Sequence, residues 1–210
     1  MKQIPKVKIC GITSAKDALN ACRLGADYLG LIIDFPESPR SLSPVAARKI
    51  VFAVREKFKG KVKCVGVFVN KNINDVKDIV QTCGLDICQL HGEETGEYVS
   101  ELKQTCEVWK TVIIKTEADK NTVKIYRNVA DKILLDAGSG SGQNIELSML
   151  KNEECIDVLG GGLDADNIES ILGKVSPGIV DANSRLETSP GRKDRRLVEK
   201  FIKKAKQPSV

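Results

Sequence analysis

Cys10 closes the apolar run Val7-Lys8-Ile9-Cys10, and Asp136 closes a second run, Lys132-Ile133-Leu134-Leu135-Asp136. At the C-terminal ends of two strands facing each other across a barrel mouth, a thiolate and a carboxylic acid make a general base and a general acid. A free thiol titrates near pH ~8.5, so it needs help to ionise. Lys8 lies on the same face of the strand as Cys10, two residues deeper, because side chains alternate along a strand. The acid must keep its proton near neutral pH, which requires a desolvated site. The segment Gly138 to Gly142, beside Asp136, reads either as a loop that closes and excludes water or as a plain connection.

A second group could hold an anion. Gly160-Gly161-Gly162 ends one apolar run, and Asp181-Ala182-Asn183-Ser184 ends the next. Backbone N–H groups after the last two strands of a barrel bind phosphate, and glycine lets the backbone approach closely. Arg40 sits in a Pro- and Ser-rich stretch, Phe35 to Ser43. Its planar fork suits a carboxylate, although a lone loop arginine is more often a solvated side chain. Gln89 and His91 share a face at the end of another run. They either line a pocket or hydrogen-bond a loop, and the second reading is preferred for His91.

Composition removes other chemistries. The seven cysteines are irregularly spaced without a C-x-x-C, and His91 is the one histidine. A zinc site and a disulfide framework are both disfavoured, so most of the thiols read as small buried hydrophobes. The net charge of +5 reads as a solvated basic surface or as attraction of a small anion. Aromatics at 4% are too few to interleave a nucleic-acid surface. No apolar stretch approaches the ~20 residues of a membrane helix, and Met1-Lys2-Gln3-Ile4-Pro5 has no signal core. The expected compartment is the cytoplasm, with no nucleic-acid or membrane partner.

The elements that must position these residues repeat eight times, each a short β-rich run followed by a helical stretch. The expected strands are Val7 to Thr13, Tyr28 to Ile33, Val62 to Val69, Asp86 to His91, Val108 to Ile114, Lys132 to Asp136, Ile156 to Leu159 and Gly178 to Asn183. Helices are expected from Thr13 to Arg23, Pro44 to Phe58, Asn72 to Cys83, Glu93 to Gln104, Ala118 to Asn128, Glu146 to Leu150, Asp164 to Leu172 and Asp194 to Lys206. No composition break divides residues 1–210, which read as a single domain. Continuous apolar strands alternating with helices predict a parallel sheet, and eight units predict closure into a (β/α)8 TIM barrel of the phosphate-binding type. The alternative, an open doubly wound sheet, carries its glycine-rich turn after the first strand, whereas here such turns follow the sixth and seventh.

Blocks in register along nearly the whole chain resemble the phosphoribosylanthranilate isomerase family: Lys8-Ile9-Cys10-Gly11-Ile12-Thr13, Ser38-Pro39-Arg40, Gln89-Leu90-His91-Gly92-Glu93-Glu94, Leu134-Leu135-Asp136, Gly161-Gly162-Leu163 and Pro190-Gly191-Arg192-Lys193-Asp194. The resemblance implies an enzyme of L-tryptophan biosynthesis. It would carry out the Amadori rearrangement of N-(5-phosphoribosyl)anthranilate to 1-(2-carboxyphenylamino)-1-deoxyribulose 5-phosphate, with no metal or cofactor, as a monomer or homodimer. It implies Cys10 as general base, Asp136 as general acid and Arg40 on the anthranilate carboxylate, with Gly161, Gly162, Asn183 and Ser184 around the phosphate. There are departures. The family's Ser-Ser-Gly-Val-Glu reads Asn183-Ser184-Arg185-Leu186-Glu187, its Phe-Asp-Trp reads Ile145-Glu146-Leu147, and only Phe35 remains of an aromatic-rich segment before Ser38. Two other readings were weighed. A histidine-pathway sugar isomerase would place an aspartate at Cys10, and a non-catalytic phosphometabolite-binding barrel would have no need of Cys10, Asp136 and Arg40 together.

Overall fold

The structure, a computed structural model, describes residues 4–136, 150 and 155–207. Eight parallel strands close on themselves: β1 (Lys6–Ile9), β2 (Tyr28–Ile33), β4 (Lys63–Phe68), β5 (Ile87–Leu90), β6 (Glu107–Ile113), β7 (Lys132–Asp136), β8 (Val158–Leu159) and β9 (Ile179–Ala182). β1 pairs with β9 on one side and with β2 on the other, which closes the barrel and removes the open-sheet alternative. A two-residue strand β3 (Ser41–Leu42) extends β2, and β10 (Glu187–Ser189) with β11 (Arg192–Lys193) forms an antiparallel hairpin that the sequence reading lacked. Among the described residues seven helices lie between or after the strands: α1 (Ala15–Leu24), α2 (Pro44–Phe58), α3 (Ile73–Cys83), α4 (Gly96–Leu102), α5 (Asp119–Arg127), α6 (Ile168–Lys174) and α7 (Arg195–Lys206). The expected Gly138 to Gly142 loop and most of the expected Glu146 to Leu150 helix lie outside the described residues.

Local chemistry sets the element ends. The Ser14 hydroxyl accepts from Asp17 N (3.1 Å) to start α1, and Gly25 in the left-handed region (φ 100°) ends it. Ser43 caps α2, with Pro44 in its first turn. The expected first strand ran to Thr13 but stops at Ile9, because Gly11 takes φ 68° and turns the chain. Helix α4 starts three residues later than expected, because the Glu94 carboxylate is occupied accepting backbone N–H bonds from Asn70 and Gly92. Helix α6 also starts late, since Asp164 Oδ1 accepts from Asp166 N and Asn167 N and holds a turn there.

The N-terminal end of the barrel carries a repeated device. Asp27, Asp86, Asp131 and Asp157 each stand immediately before a strand. Their carboxylates accept from the backbone N–H of Val7, Cys64, Val108 and Ile133, at 2.8, 2.8, 2.8 and 3.0 Å. Each of those four is the second residue of a strand. The bonds satisfy donors at the barrel's closed end and tie successive units together.

Side-chain parity divides the core in two. Val7, Ile9, Leu29, Leu31, Cys88, Leu90, Leu135 and Val180 point outward into the cluster between strands and helices. Tyr28, Val65, Ile87, Trp109, Leu134, Val158 and Ile179, one from each of seven strands, fill the barrel interior. The eighth strand contributes Lys8, fully buried. Helix α7 seals the outer layer with Val198, Phe201, Ile202 and Ala205. Phe201→Ala is expected to cost roughly 3–5 kcal/mol. Trp109, the one tryptophan of the chain and buried in the interior, reports this through its fluorescence in a urea titration.

Candidate active site

Each strand's next inward position lies two residues beyond the interior layer, toward its C-terminal end. In strand order these are Cys10, Gly30, Val67, Gln89, Thr111, Asp136, Gly160 and Asp181. Five of them, Cys10, Val67, Gln89, Asp136 and Asp181, line a cavity of about 400 Å³. Cys10, Arg40 and Asp136 line it, and so do Gly161, Gly162, Asn183 and Ser184. Every site residue expected from the sequence therefore faces one space. Cys10 and Asp136 stand on different walls, with β8 and β9 between their strands.

The thiol sits on a buried ion pair. Lys8 Nζ donates to Asp181 Oδ2 at 2.7 Å, and the two residues are register partners on β1 and β9. The Lys8 ammonium also acts on the Cys10 thiol beside it. Although burial alone would lower it, the Lys8 ammonium is held above its ordinary pKa by Asp181 and Cys10 and stays charged. Burial pushes the Cys10 thiol up, opposed by Lys8 and Lys193 and reinforced by the Asp181 carboxylate. Asp181 is itself raised by burial, against the pull of Lys8. One ammonium thus faces two groups that compete for its charge.

Gly30 makes the room for this arrangement. A Cβ at Gly30 would lie 2.6 Å from Cys10 Sγ and 3.0 Å from Lys8 Nζ. Gly11 does the same one layer higher, where a Cβ would collide with Asn183 Oδ1 and lie 2.8 Å from Arg40 Cδ. Two buried acceptors on the floor, Gln89 Oε1 and Asp181 Oδ1, have no protein partner among the described residues. Gln89 spends its amide donor on Thr111 Oγ1 at 3.1 Å. Both acceptors suit hydroxyl donors of a bound polyol.

Sequence reasoning assigned His91 to a loop hydrogen bond, but the ring lines the cavity. Burial holds it below the ordinary imidazole range, against the pull of Asp136, so it stays neutral. Arg40 is not the solvated side chain that a lone loop arginine suggests. Its Nη2 meets Glu187 Oε2 at 2.7 Å, and its Nε meets both carboxylate oxygens, at 3.0 and 3.2 Å. Glu187 and Lys193 were quoted in the sequence blocks but given no role. The hairpin β10–β11 that brings them to the mouth has no signal in the sequence beyond the turn pair Pro190-Gly191. Arg185 lines the rim near Gly161 and Gly162, with Nη1 3.8 Å from Asp164 Oδ2.

A proton acceptor, a carboxyl group on another wall, an arginine fork and a glycine-rich strand end around one cavity are the parts of an acid–base site for a phosphorylated, carboxylate-bearing ligand. The family model described as N-(5'phosphoribosyl)anthranilate (PRA) isomerase matches residues 7–204. The N-(5'-phosphoribosyl)anthranilate isomerase of Geobacter sp. (strain M21) is 39% identical over 211 residues, covering 97% of this chain and 99% of the relative. The crystal structure of monomers generated from the dimeric phosphoribosylanthranilate isomerase of Thermotoga maritima has 37% identity and a TM-score of 0.83, covering 96% of this chain and 98% of that one. A crystal structure of phosphoribosyl anthranilate isomerase in complex with reduced 1-(o-carboxyphenylamino)-1-deoxyribulose 5-phosphate has 35% identity and a TM-score of 0.83, with the same coverage. Matched almost from end to end by the model and by these relatives, the chain belongs to the N-(5'-phosphoribosyl)anthranilate isomerase family.

Proposed function

We propose that Cys10 is the general base and Asp136 the general acid of the rearrangement for which the family is named. The protein is a phosphoribosylanthranilate isomerase of tryptophan biosynthesis. Its substrate carries a phosphate, a furanose and an aryl carboxylate, and the cavity offers a place for each. The observation that carries the assignment of roles is the shared cavity: thiol and carboxyl group stand at the same level of the barrel on separate walls, with two strands between theirs.

In the first step a protonated Asp136 donates to the furanose ring oxygen. The C1–O bond breaks, and the anthranilate nitrogen lone pair forms the C1=N bond of a cationic Schiff base. In the second step the Cys10 thiolate takes the proton from C2. The C–H pair becomes the C1=C2 bond, and the nitrogen regains its lone pair. The resulting enolamine tautomerises to the aminoketose. Protons and electrons balance without an oxidant, as an isomerisation requires. Arg40 binds the anthranilate carboxylate, and Gly161, Gly162, Asn183 and Ser184 surround the phosphate. Glycine at 161 and 162 takes φ of 91° and 65°, a backbone shape that bares N–H groups to an anion.

We read the chain as one barrel domain working in the cytoplasm. All seven of its thiols are free, which suits a reducing compartment. Among the described residues no helix is long and apolar enough to cross a membrane.

Three outcomes follow. Cys10→Ala and Asp136→Asn are each expected to lower kcat by about a hundred- to ten-thousand-fold with the fold retained, measured as the change in anthranilate fluorescence on freshly made substrate. Wild-type turnover in both variants would sink the assignment. Gly30→Ala, which forces Sγ and Nζ apart, is expected to lose about a hundredfold in kcat, whereas a variant with normal turnover would show that the thiol's placement is not critical. For the third, a base acts when deprotonated, and burial raises the Cys10 thiol. The kcat/KM of the free enzyme should therefore climb with pH through the ordinary thiol range and level off above it. A plateau already reached at pH 7 would contradict a buried thiol base.

A further inference from the structure

Arg40 has a counter-ion before any ligand arrives. Glu187 takes its Nε and Nη2 edge, and a guanidinium neutralised in this way would be a poor anion site. But Glu187 is shared. Its Oε1 also accepts from Lys193 Nζ at 2.7 Å, and both of these side chains are only 3% exposed. Two cations and one anion leave one positive charge uncompensated. Among the described residues no second carboxylate forms an ion pair with either cation.

That surplus charge has one outlet. Lys193 Nζ has three donors, and its contacts use all of them: Glu187, the Asn183 carbonyl at 3.1 Å and Asn183 Oδ1 at 2.8 Å. Arg40 has five, and Glu187 occupies one of its two forked edges. The Nη1–Nη2 edge is left, on a side chain that lines the cavity. The cluster also joins two segments of the chain. It spans from the loop after β2 to the β10–β11 hairpin, and it passes over Gly11, where any side chain would strike both Arg40 and Asn183.

We propose that Glu187 and Lys193 are positioning residues for the aryl carboxylate: Glu187 turns the Nη1–Nη2 edge of Arg40 to the substrate, and Lys193 keeps the cluster net cationic so that this edge attracts an anion. The inference rests on the reading of Arg40 as the carboxylate ligand. It makes carboxylate recognition a property of three side chains from two loops, and it gives the β10–β11 hairpin a part in choosing the substrate.

The test compares two substrates, N-(5-phosphoribosyl)anthranilate and the aniline adduct that lacks the ring carboxylate. Lys193→Met removes the surplus charge and leaves Glu187 wholly to Arg40. It is expected to lower kcat/KM for the anthranilate substrate about tenfold, through KM, and to change the aniline adduct by less than about threefold. Lys193→Arg should recover most of the loss. Glu187→Asp keeps the charge but is one methylene short of the two-point contact, so it should raise KM for the anthranilate substrate alone. Arg40→Met is the reference, expected to erase the preference between the substrates. If Arg40→Met erases it while Lys193→Met and Glu187→Asp, folded by circular dichroism, keep the wild-type preference, the positioning roles are overturned and the carboxylate site stands. A loss in kcat equal for both substrates would mark a structural effect and also overturn them. If Arg40→Met itself keeps the preference, the carboxylate reading fails and this inference fails with it.

Discussion

In a closed barrel, a strand residue that points inward dictates that the residue two further along also points inward. Here that constraint ties core and chemistry together. The interior layer of Tyr28, Val65, Ile87, Trp109, Leu134, Val158 and Ile179 is apolar, and it fixes the direction of every residue one step nearer the mouth. Trp109 beneath Thr111, Ile87 beneath Gln89 and Leu134 beneath Asp136 are pairs in which the lower side chain is packed and the upper one is polar. A register slip of one residue in β5, β6 or β7 would turn its polar group out among the helices and take its apolar anchor out of the interior layer, so the same packing that stabilises the barrel holds the site in alignment.

The exception to the apolar layer is informative. At Lys8 a fully buried ammonium stands where seven other strands place a hydrophobe. A buried ion pair is weak evidence for stability, because desolvation opposes the attraction. Its worth must then lie in what it does to its neighbours. Lys8 pairs with Asp181 and also faces Cys10, so carboxylate and thiol compete for one ammonium. On the proposed route, the thiolate is needed only after the ring has opened, when the substrate nitrogen carries a positive charge. The base and the intermediate then carry opposite charges, and transfer of the C2 proton neutralises both.

Much of this was visible in the residue order. The eight alternating units gave the barrel, and strand parity put Lys8 under Cys10 and Leu134 under Asp136. The run of glycines marked a strand end open to an anion. What stayed hidden were contacts between distant segments. Arg40 and Glu187 are 147 residues apart, and nothing local to either signals a two-point ion pair. Lys8 and Asp181 are 173 apart and meet only because the first and last barrel strands pair. For His91 the strand-end position left cavity lining and a loop hydrogen bond both open, and the residue lines the cavity. Strand and helix ends were misplaced where a side chain took over a backbone bond, as Glu94 and Asp164 do, or where Gly11 turned the chain.

The aspartates show how one residue type is divided between stability and chemistry. Asp27, Asp86, Asp131 and Asp157 sit at the N-terminal ends of strands, where each meets a backbone N–H that has no strand partner and accepts it at hydrogen-bond distance. Their negative charge is spent on fixed donors of the fold. Asp136 and Asp181 sit at the other ends of their strands. There the surroundings include the Lys8 ammonium, a neutral imidazole and the cavity. Four carboxylates therefore serve as ties and two line the cavity, and what separates them is which end of a strand they occupy. Residue type alone cannot tell the two sets apart. Position along the strand, together with the inward parity set by the interior layer, does so for Asp136 and for Asp181 alike.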